Sequence, residues 1–192
     1  MNGKLLQKHT VLNGINASKI EHVVRDDEGD LYIETNANRD AIQIEDQVWM
    51  RENLHYKSSN SYINPLNSSK KYGRLYTWSA ASEVCPNGWH LPSIDEWEVL
   101  MENLKKEKGP VVKKAWSWHH KGNGKNLFRF GILPAGKCDA TQFLSFSKQA
   151  YFWTATEKSS TKAASYLFKD THKVKVLNSD KSLGHSVRCI KD

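Results

Sequence analysis

"CPNGWHLPSIDEW", residues 85–97, places one cysteine, two prolines, one glycine and two tryptophans in thirteen positions ahead of a helix-like pattern. So much rigid and bulky material at one helix entrance has two readings. It is either an active-site loop or a structural corner from which a small domain hangs. The residues that follow define the helix. Ser93 and Glu96 form a capping box, in which the hydroxyl takes a free amide of the first turn and the carboxylate reaches back to the cap amide. Ile94, Trp97, Leu100, Met101 and Leu104 recur at helical spacing and make one apolar face. Gly109-Pro110 predicts the stop.

Upstream of that corner, "GRLYTWSAASEVC" (73–85) reads as a short helix, with Leu75, Trp78 and Ala81/Ser82 at helical spacing. Residues 55–72 are rich in Ser and Asn and read as an exposed loop. Before them, "RDDEGDLYIETN" (25–36) offers turn residues and then the alternation of a half-buried strand. "AIQIEDQVWMRENL" (41–54) alternates likewise through Ile42, Ile44, Asp46, Val48 and Met50. The turn residues between the two runs predict a hairpin joining them. Residues 1–23 read as an extension or lead-in strand, and residues 24–192 as the domain. Downstream, "NLFRFGILPAG" (126–136), "AYFWTATE" (150–157), "ASYLFKD" (164–170), "HKVKVLN" (172–178) and "GHSVRCIKD" (184–192) are strand-like runs separated by turn residues. Two helices among many short strands predict an α+β domain with an antiparallel sheet. The absence of β-α-β alternation argues against a doubly wound fold.

At 192 residues, 39% of them apolar, the chain can bury one real core. No apolar run approaches the roughly eighteen residues needed to span a bilayer, so no membrane insertion is expected. The first residues, "MNGKLLQKHTVLNG", lack the apolar core of a secretory signal. The net charge of +7 is uneven: residues 1–96 hold 10 Lys+Arg and 13 Asp+Glu, and residues 97–192 hold 18 and 8. A basic half suits an acidic partner, an anionic glycan, nucleic acid or plain solvation. The lysines are scattered and no nucleic-acid-binding motif is present, so no nucleic-acid partner is expected. Cys85, Cys138 and Cys189 contain no C-x-x-C pair, which argues against thioredoxin-like chemistry and zinc knuckles. They allow one disulfide with a thiol left over, or three reduced thiols.

Catalytic constellations are scarce. "GNGK" (122–125) falls short of a phosphate loop because His119 stands where the first glycine is required. His119 and His120 are adjacent and diverge, so they do not share a helix face as zinc ligands would. His90 reads as a hydrogen-bonded core residue among aromatics. Asp26, Asp27, Glu28 and Asp30 fit a hairpin turn better than a calcium loop. No nucleophile elbow, H-E-x-x-H or cofactor motif occurs, so no cofactor and no metal is expected. Trp49, Trp78, Trp89, Trp97 and Trp153 lie in apolar patterns and are assigned to the core, whereas Trp116, just after the helix in a polar run, reads as a lid over it. Trp118 sits in the polar run "KKAWSWHHKGNGKN" (113–126), where an indole can stack on a sugar ring or a peptide side chain.

Taken in order, "DDEGDLYIE", "IQIEDQVWMRENL", "YGRLYTWSAASEVCPNGWHLPSIDEWEVL", "FGILPAG", "YFWTATE" and "HSVRC" resemble the Fibrobacter succinogenes major paralogous domain (FISUMP) from about residue 24 onward. One departure is Asp46, where the family typically carries a glycine before the glutamine. The resemblance implies a C-type-lectin-like fold, with a twisted antiparallel sheet, two helices, terminal strands that meet and a loop-rich ligand surface. It implies a Cys85–Cys189 bridge beneath the "CPNGWHLP" corner, which makes that corner scaffold. It also implies a module of a bacterial surface or secreted protein.

On this footing the chain is expected to be a non-catalytic binding or adhesion module for a glycan or protein ligand. The contact residues are placed in loops after the main helix and between the later strands: Trp118, His119, Asn123, Asn126, Asp139, Gln142, Glu157, Lys158 and Lys181. The tripeptides of calcium-dependent sugar-binding lectins are missing. An alternative is a phage, injection-system or effector interaction protein, suggested by the missing signal and the basic half. A third is an enzyme of the formylglycine-generating type. That chemistry needs a cysteine pair, and Cys138 has no partner once Cys85 and Cys189 are joined.

Overall fold

The computed structural model describes residues 22–25, 31–34, 41–67, 70–106, 130–139, 141–169 and 174–192. The chain divides into two compact units, Met1–Arg39 and Asp40–Asp192. In the first, β1 (His22–Arg25) and β2 (Leu31–Glu34) form an antiparallel hairpin with Val23 opposite Ile33.

That pairing corrects the expected hairpin. β2 pairs with β1, and the run from 41 onward folds back on itself as β3 (Ala41–Ile44) and β4 (Gln47–Met50). The alternation through Asp46 concealed a two-residue turn. Glu45 takes φ 51°, the left-handed region that reverses the chain, and Ile44 then faces Gln47 across the ladder. The left-handed residue is therefore Glu45, one place before the Asp46 departure.

The second unit continues through β5 (Ser61–Tyr62), a 3-10 turn at Lys70–Tyr72, β6 (Leu75–Tyr76) and α1 (Trp78–Glu83). β7 (Trp89–His90) leads to α2 (Ile94–Lys106), followed by β8 (Lys137–Cys138) and β9 (Phe143–Leu144). The three longest strands are β10 (Gln149–Glu157), β11 (Lys162–Lys169) and β12 (Val174–Asp180), and β13 (Ile190–Lys191) ends the series. β10, β11 and β12 form one antiparallel sheet in that order. A second antiparallel sheet has the order β3-β4-β13-β7, so β13 lies between the β3–β4 hairpin and the corner strand. Among the described residues the architecture is α+β, mostly antiparallel strands with two short α-helices.

The corner at 85–97 is scaffold, and each of its unusual residues has a partner. Cys85 is joined to Cys189, with Cα atoms 5.9 Å apart. The Trp89 amide closes a turn onto the Pro86 carbonyl, and Gly88 sits at φ 80° and accepts the Asp192 amide. Pro92 accepts the Ala155 amide and so anchors the corner to β10. The capping box forms: Ser93 Oγ accepts the Glu96 amide at 3.2 Å, and the Ser93 amide donates to Glu96 Oε2 at 2.7 Å. The predicted stop at Gly109-Pro110 lies outside the described residues.

α2 buries Trp97, Leu100, Met101 and Leu104 against the β3–β4 hairpin and the long sheet, at roughly 1.5–3 kcal/mol for each side chain. Trp97 is the centre of that core. Its ring stacks on Tyr166 with centroids 5.2 Å apart and meets Trp49 at 5.0 Å and Phe152 at 5.5 Å. A second cluster under α1 gathers Met50, Tyr76, Trp89, Trp153, Val187 and Cys189. Trp49, Trp89, Trp97 and Trp153 are buried as expected, whereas Trp78 is only partly buried. Trp116 lies outside the described residues.

Candidate functional site

Four of the expected contact residues, Trp118, His119, Asn123 and Asn126, lie outside the described residues, as do His120 and the 122–125 run. So do Asp26, Asp27, Glu28 and Asp30. The other five fall into two places.

Asp139 and Gln142 belong to the turn joining β8 to β9. Oδ1 of Asp139 accepts the Thr141 amide (2.8 Å), the Thr141 hydroxyl (2.7 Å) and the Gln142 amide (2.9 Å). Those donors, led by Thr141, pull the carboxyl pKa down to about 2. One oxygen of Asp139 is therefore occupied in shaping its own loop. Cys138 and Gly184 exchange both backbone hydrogen bonds (3.0 and 2.8 Å), which brings the start of this turn beside the loop that carries Lys181.

Glu157, Lys158 and Lys181 lie where the β10–β11 turn meets the end of β12. The Lys181 amide donates to the Thr161 carbonyl at 2.9 Å, and the Lys158 amide to the Lys162 carbonyl at 2.9 Å. Lys181 Nζ pairs with Glu157 Oε1 and reaches the Ser160 carbonyl at 3.2 Å. Its ammonium also stands 4.4 Å from the centroid of Trp78. The side chain of Lys181 is 20% exposed and that of Glu157 54%.

Trp78, assigned to the core from sequence, is partly buried at its edge, packed against the cluster under α1. It occupies the first position of α1, directly after the N-cap Thr77, so it lies at the helix end and beside the buried stripe. Its indole N–H donates to the Thr154 carbonyl at 2.9 Å, and its amide to the Lys181 carbonyl at 3.0 Å. The ring is thereby fixed in orientation with one face under an ammonium.

His90 also departs from expectation. Its side chain is 43% exposed and lies between two carboxylates, with Nε2 2.8 Å from Glu96 Oε1 and Nδ1 2.6 Å from Asp192 Oδ1. It is hydrogen-bonded as expected, yet outside the aromatic core, because successive strand residues face opposite sides and Trp89 takes the buried one. Both nitrogens are occupied, so His90 has no free base to offer a nucleophile. His185 is fully buried, and burial, aided by Lys137, lowers its pKa to about 3. Cys138 is buried, and desolvation raises its thiol to about 11, far from the thiolate a nucleophile or copper ligand needs. Among the described residues, no three His, Cys, Asp or Glu side chains gather as metal ligands.

The arrangement can hold a ligand through an oriented ring, a paired ammonium and carboxylate, and the exposed hydroxyls of Ser159, Ser160 and Thr161. Among the described residues no helix is long and apolar enough to cross a membrane. The family model described as Fibrobacter succinogenes major domain matches residues 42–191. No curated protein matches the chain.

Proposed function

The chain belongs to the Fibrobacter succinogenes major domain family, and from that premise we propose that it is a non-catalytic ligand-binding or adhesion module recognising a glycan or a protein through its loops. One observation carries this reading. The partly exposed indole of Trp78 is held in one orientation under Lys181, which is itself fixed by Glu157 and the Ser160 carbonyl. A preoriented aromatic face costs little further entropy when a planar group or sugar ring docks beside it.

The finer fold reading is C-type-lectin-like. It is supported by the antiparallel sheets, the two helices and the meeting of β13 with β4 in one sheet. The Cys85–Cys189 bridge supports an oxidising compartment, and with it a bacterial surface or secreted location.

The test is a glycan array and a surface cross-linking capture, each run with the intact chain and with Trp78→Ala and Lys181→Ala variants of unchanged thermal stability. The reading requires a ligand that both variants lose at least tenfold. A ligand retained equally by both variants would move the site elsewhere, and turnover of a captured compound would end the non-catalytic reading.

A further inference from the structure

His90 is the hinge of a small polar cluster that joins three elements. Its strand β7 pairs with β13, Ile190 facing His90 and Lys191 facing Trp89. Its ring reaches forward to Glu96 in the first turn of α2 and across to Asp192 just after β13. Glu96 is fully engaged on its other oxygen, where Oε2 accepts both the Ser93 amide (2.7 Å) and the Ser93 hydroxyl (2.8 Å).

The hydrogen-bond inventory fixes the charge of this arrangement. A carboxylate only accepts, and a neutral imidazole has a single N–H to give. Two carboxylates at 2.8 and 2.6 Å, one on each ring nitrogen, are both satisfied only by an imidazolium. Once the proton is lost, one nitrogen turns a lone pair toward a carboxylate oxygen at contact distance. That repulsion falls on either the α2 cap or the end of β13.

We propose that His90 is a proton-held latch on the C-terminal strand. Protonated, it pins Asp192, and with it β13, to the cap of α2. Neutral, it releases one of the two partners and lets residues 190–192 open.

The surroundings support this direction. Burial, the largest single influence on His90, acts to lower its pKa, yet the hydrogen bonds and charges of Asp192 and Glu96 together leave it above the ordinary value. Glu96 is likewise lowered, its burial outweighed by hydrogen bonds from Ser93 and His90. Gln47 from β4 touches Glu96 only through the backbone carbonyl, and the neighbouring charges Asp95 and Lys191 are exposed. The sign is therefore settled: a raised folded-state pKa gives a latch that is closed below that value and is lost as pH rises through it. The disulfide stops the opening at Cys189, so it stays local. What it uncovers is Ile190, which is 3% exposed and belongs to the Trp97 core.

The experiment is a nuclear magnetic resonance titration of the full chain with the disulfide intact, following the His90 ring nitrogens and amide exchange together. The Asp192 amide, which donates to Gly88, reports the latch. The Leu54 amide, which donates to Val187, serves as the control. Expected is a His90 midpoint above about 6.5, with Asp192 protection falling several-fold through that midpoint while Leu54 protection holds. His90→Gln should abolish the pH dependence at Asp192. Asp192→Asn should move the His90 midpoint downward. A His90 midpoint at or below the ordinary value overturns the proposal, as does the same Asp192 profile in His90→Gln.

Discussion

Arg188, wholly buried, donates through Nη2 to the side-chain oxygen of Asn53 at 2.5 Å, across 135 positions of sequence. The same guanidinium donates to the carbonyls of Phe130 and Gly131, and its carbon lies 4.5 Å from the Phe130 ring centroid. Burial lowers its pKa to about 9, opposed by the charge of Glu52, which leaves it protonated at neutral pH. One cation therefore ties together the segment after β4, the segment before β8 and the approach to β13.

Removing the guanidinium strands those oxygens and empties a large volume in the core. Arg188→Ala is expected to cost about 3–5 kcal/mol in urea unfolding. Asn53→Ala should cost about 1–3 kcal/mol, since Asn53 also donates to the Tyr72 carbonyl at 3.0 Å. Because the two share a bond, the double variant should fall short of the sum. Simple additivity would show that the two residues act separately.

The Cys85–Cys189 bridge closes a loop of 104 residues. In the chain-entropy account such a loop adds about 4–5 kcal/mol, mostly by restricting the unfolded ensemble. Cys85→Ala with Cys189→Ala should lower the urea midpoint accordingly while leaving the folded far-ultraviolet spectrum unchanged. An unchanged midpoint would mean the corner is held by β13 pairing and the Trp89 packing alone.

Gly184 has a steric reason to be glycine. A Cβ there would lie 2.3 Å from Cys138 Sγ and 3.2 Å from Leu75 Cβ. Cys138 is buried and its backbone is bridged to Gly184, so the sulfur has little room to retreat. Gly184→Ala should destabilise by about 1–3 kcal/mol as an overpacking change. In a Cys138→Ala background the same substitution should cost clearly less, which thermal unfolding of the four chains would measure. An equal cost in both backgrounds would place the strain in the backbone.

Much of this fold can be read in the sequence because its signals are local. The Ser93/Glu96 box, the stripe from Trp97 to Leu104 and the runs that became β10, β11 and β12 each announce themselves within a dozen residues. The β3–β4 turn stayed hidden because Glu45 and Asp46 preserve the polar beat of a strand, and only φ at Glu45 reveals the reversal. The partial exposure of Trp78 and the exposed site of His90 stayed hidden for a different reason. Their surroundings come from Lys181 and Asp192, about a hundred residues away, and no window includes both partners. Arg188 was missed likewise, since a lone arginine in "HSVRC" gives no sign that Asn53 waits for it in the core.

His185 titrates with the opposite sign to His90, and the difference can be measured. Its ring is fully buried, stacked on Trp153 with centroids 4.2 Å apart, and neither nitrogen has a hydrogen-bond partner. Its pKa of about 3 in the folded chain lies below the ordinary 6.5. Between those values the unfolded chain binds a proton that the folded chain refuses, so stability falls as pH drops through that window. Two pH units below 6.5 the penalty reaches about 3 kcal/mol, at about 1.4 kcal/mol per unit. His90 gives no such loss, because its contribution is fully present in acid. His185→Phe keeps an aromatic ring against Trp153 and removes the titration. The unfolding free energies of the two chains should therefore diverge by about 2–3 kcal/mol, in favour of the variant, on going from neutral pH to about 4.5. A gap that stays constant would show that the His185 ring reaches water or a proton-accepting partner in the folded chain.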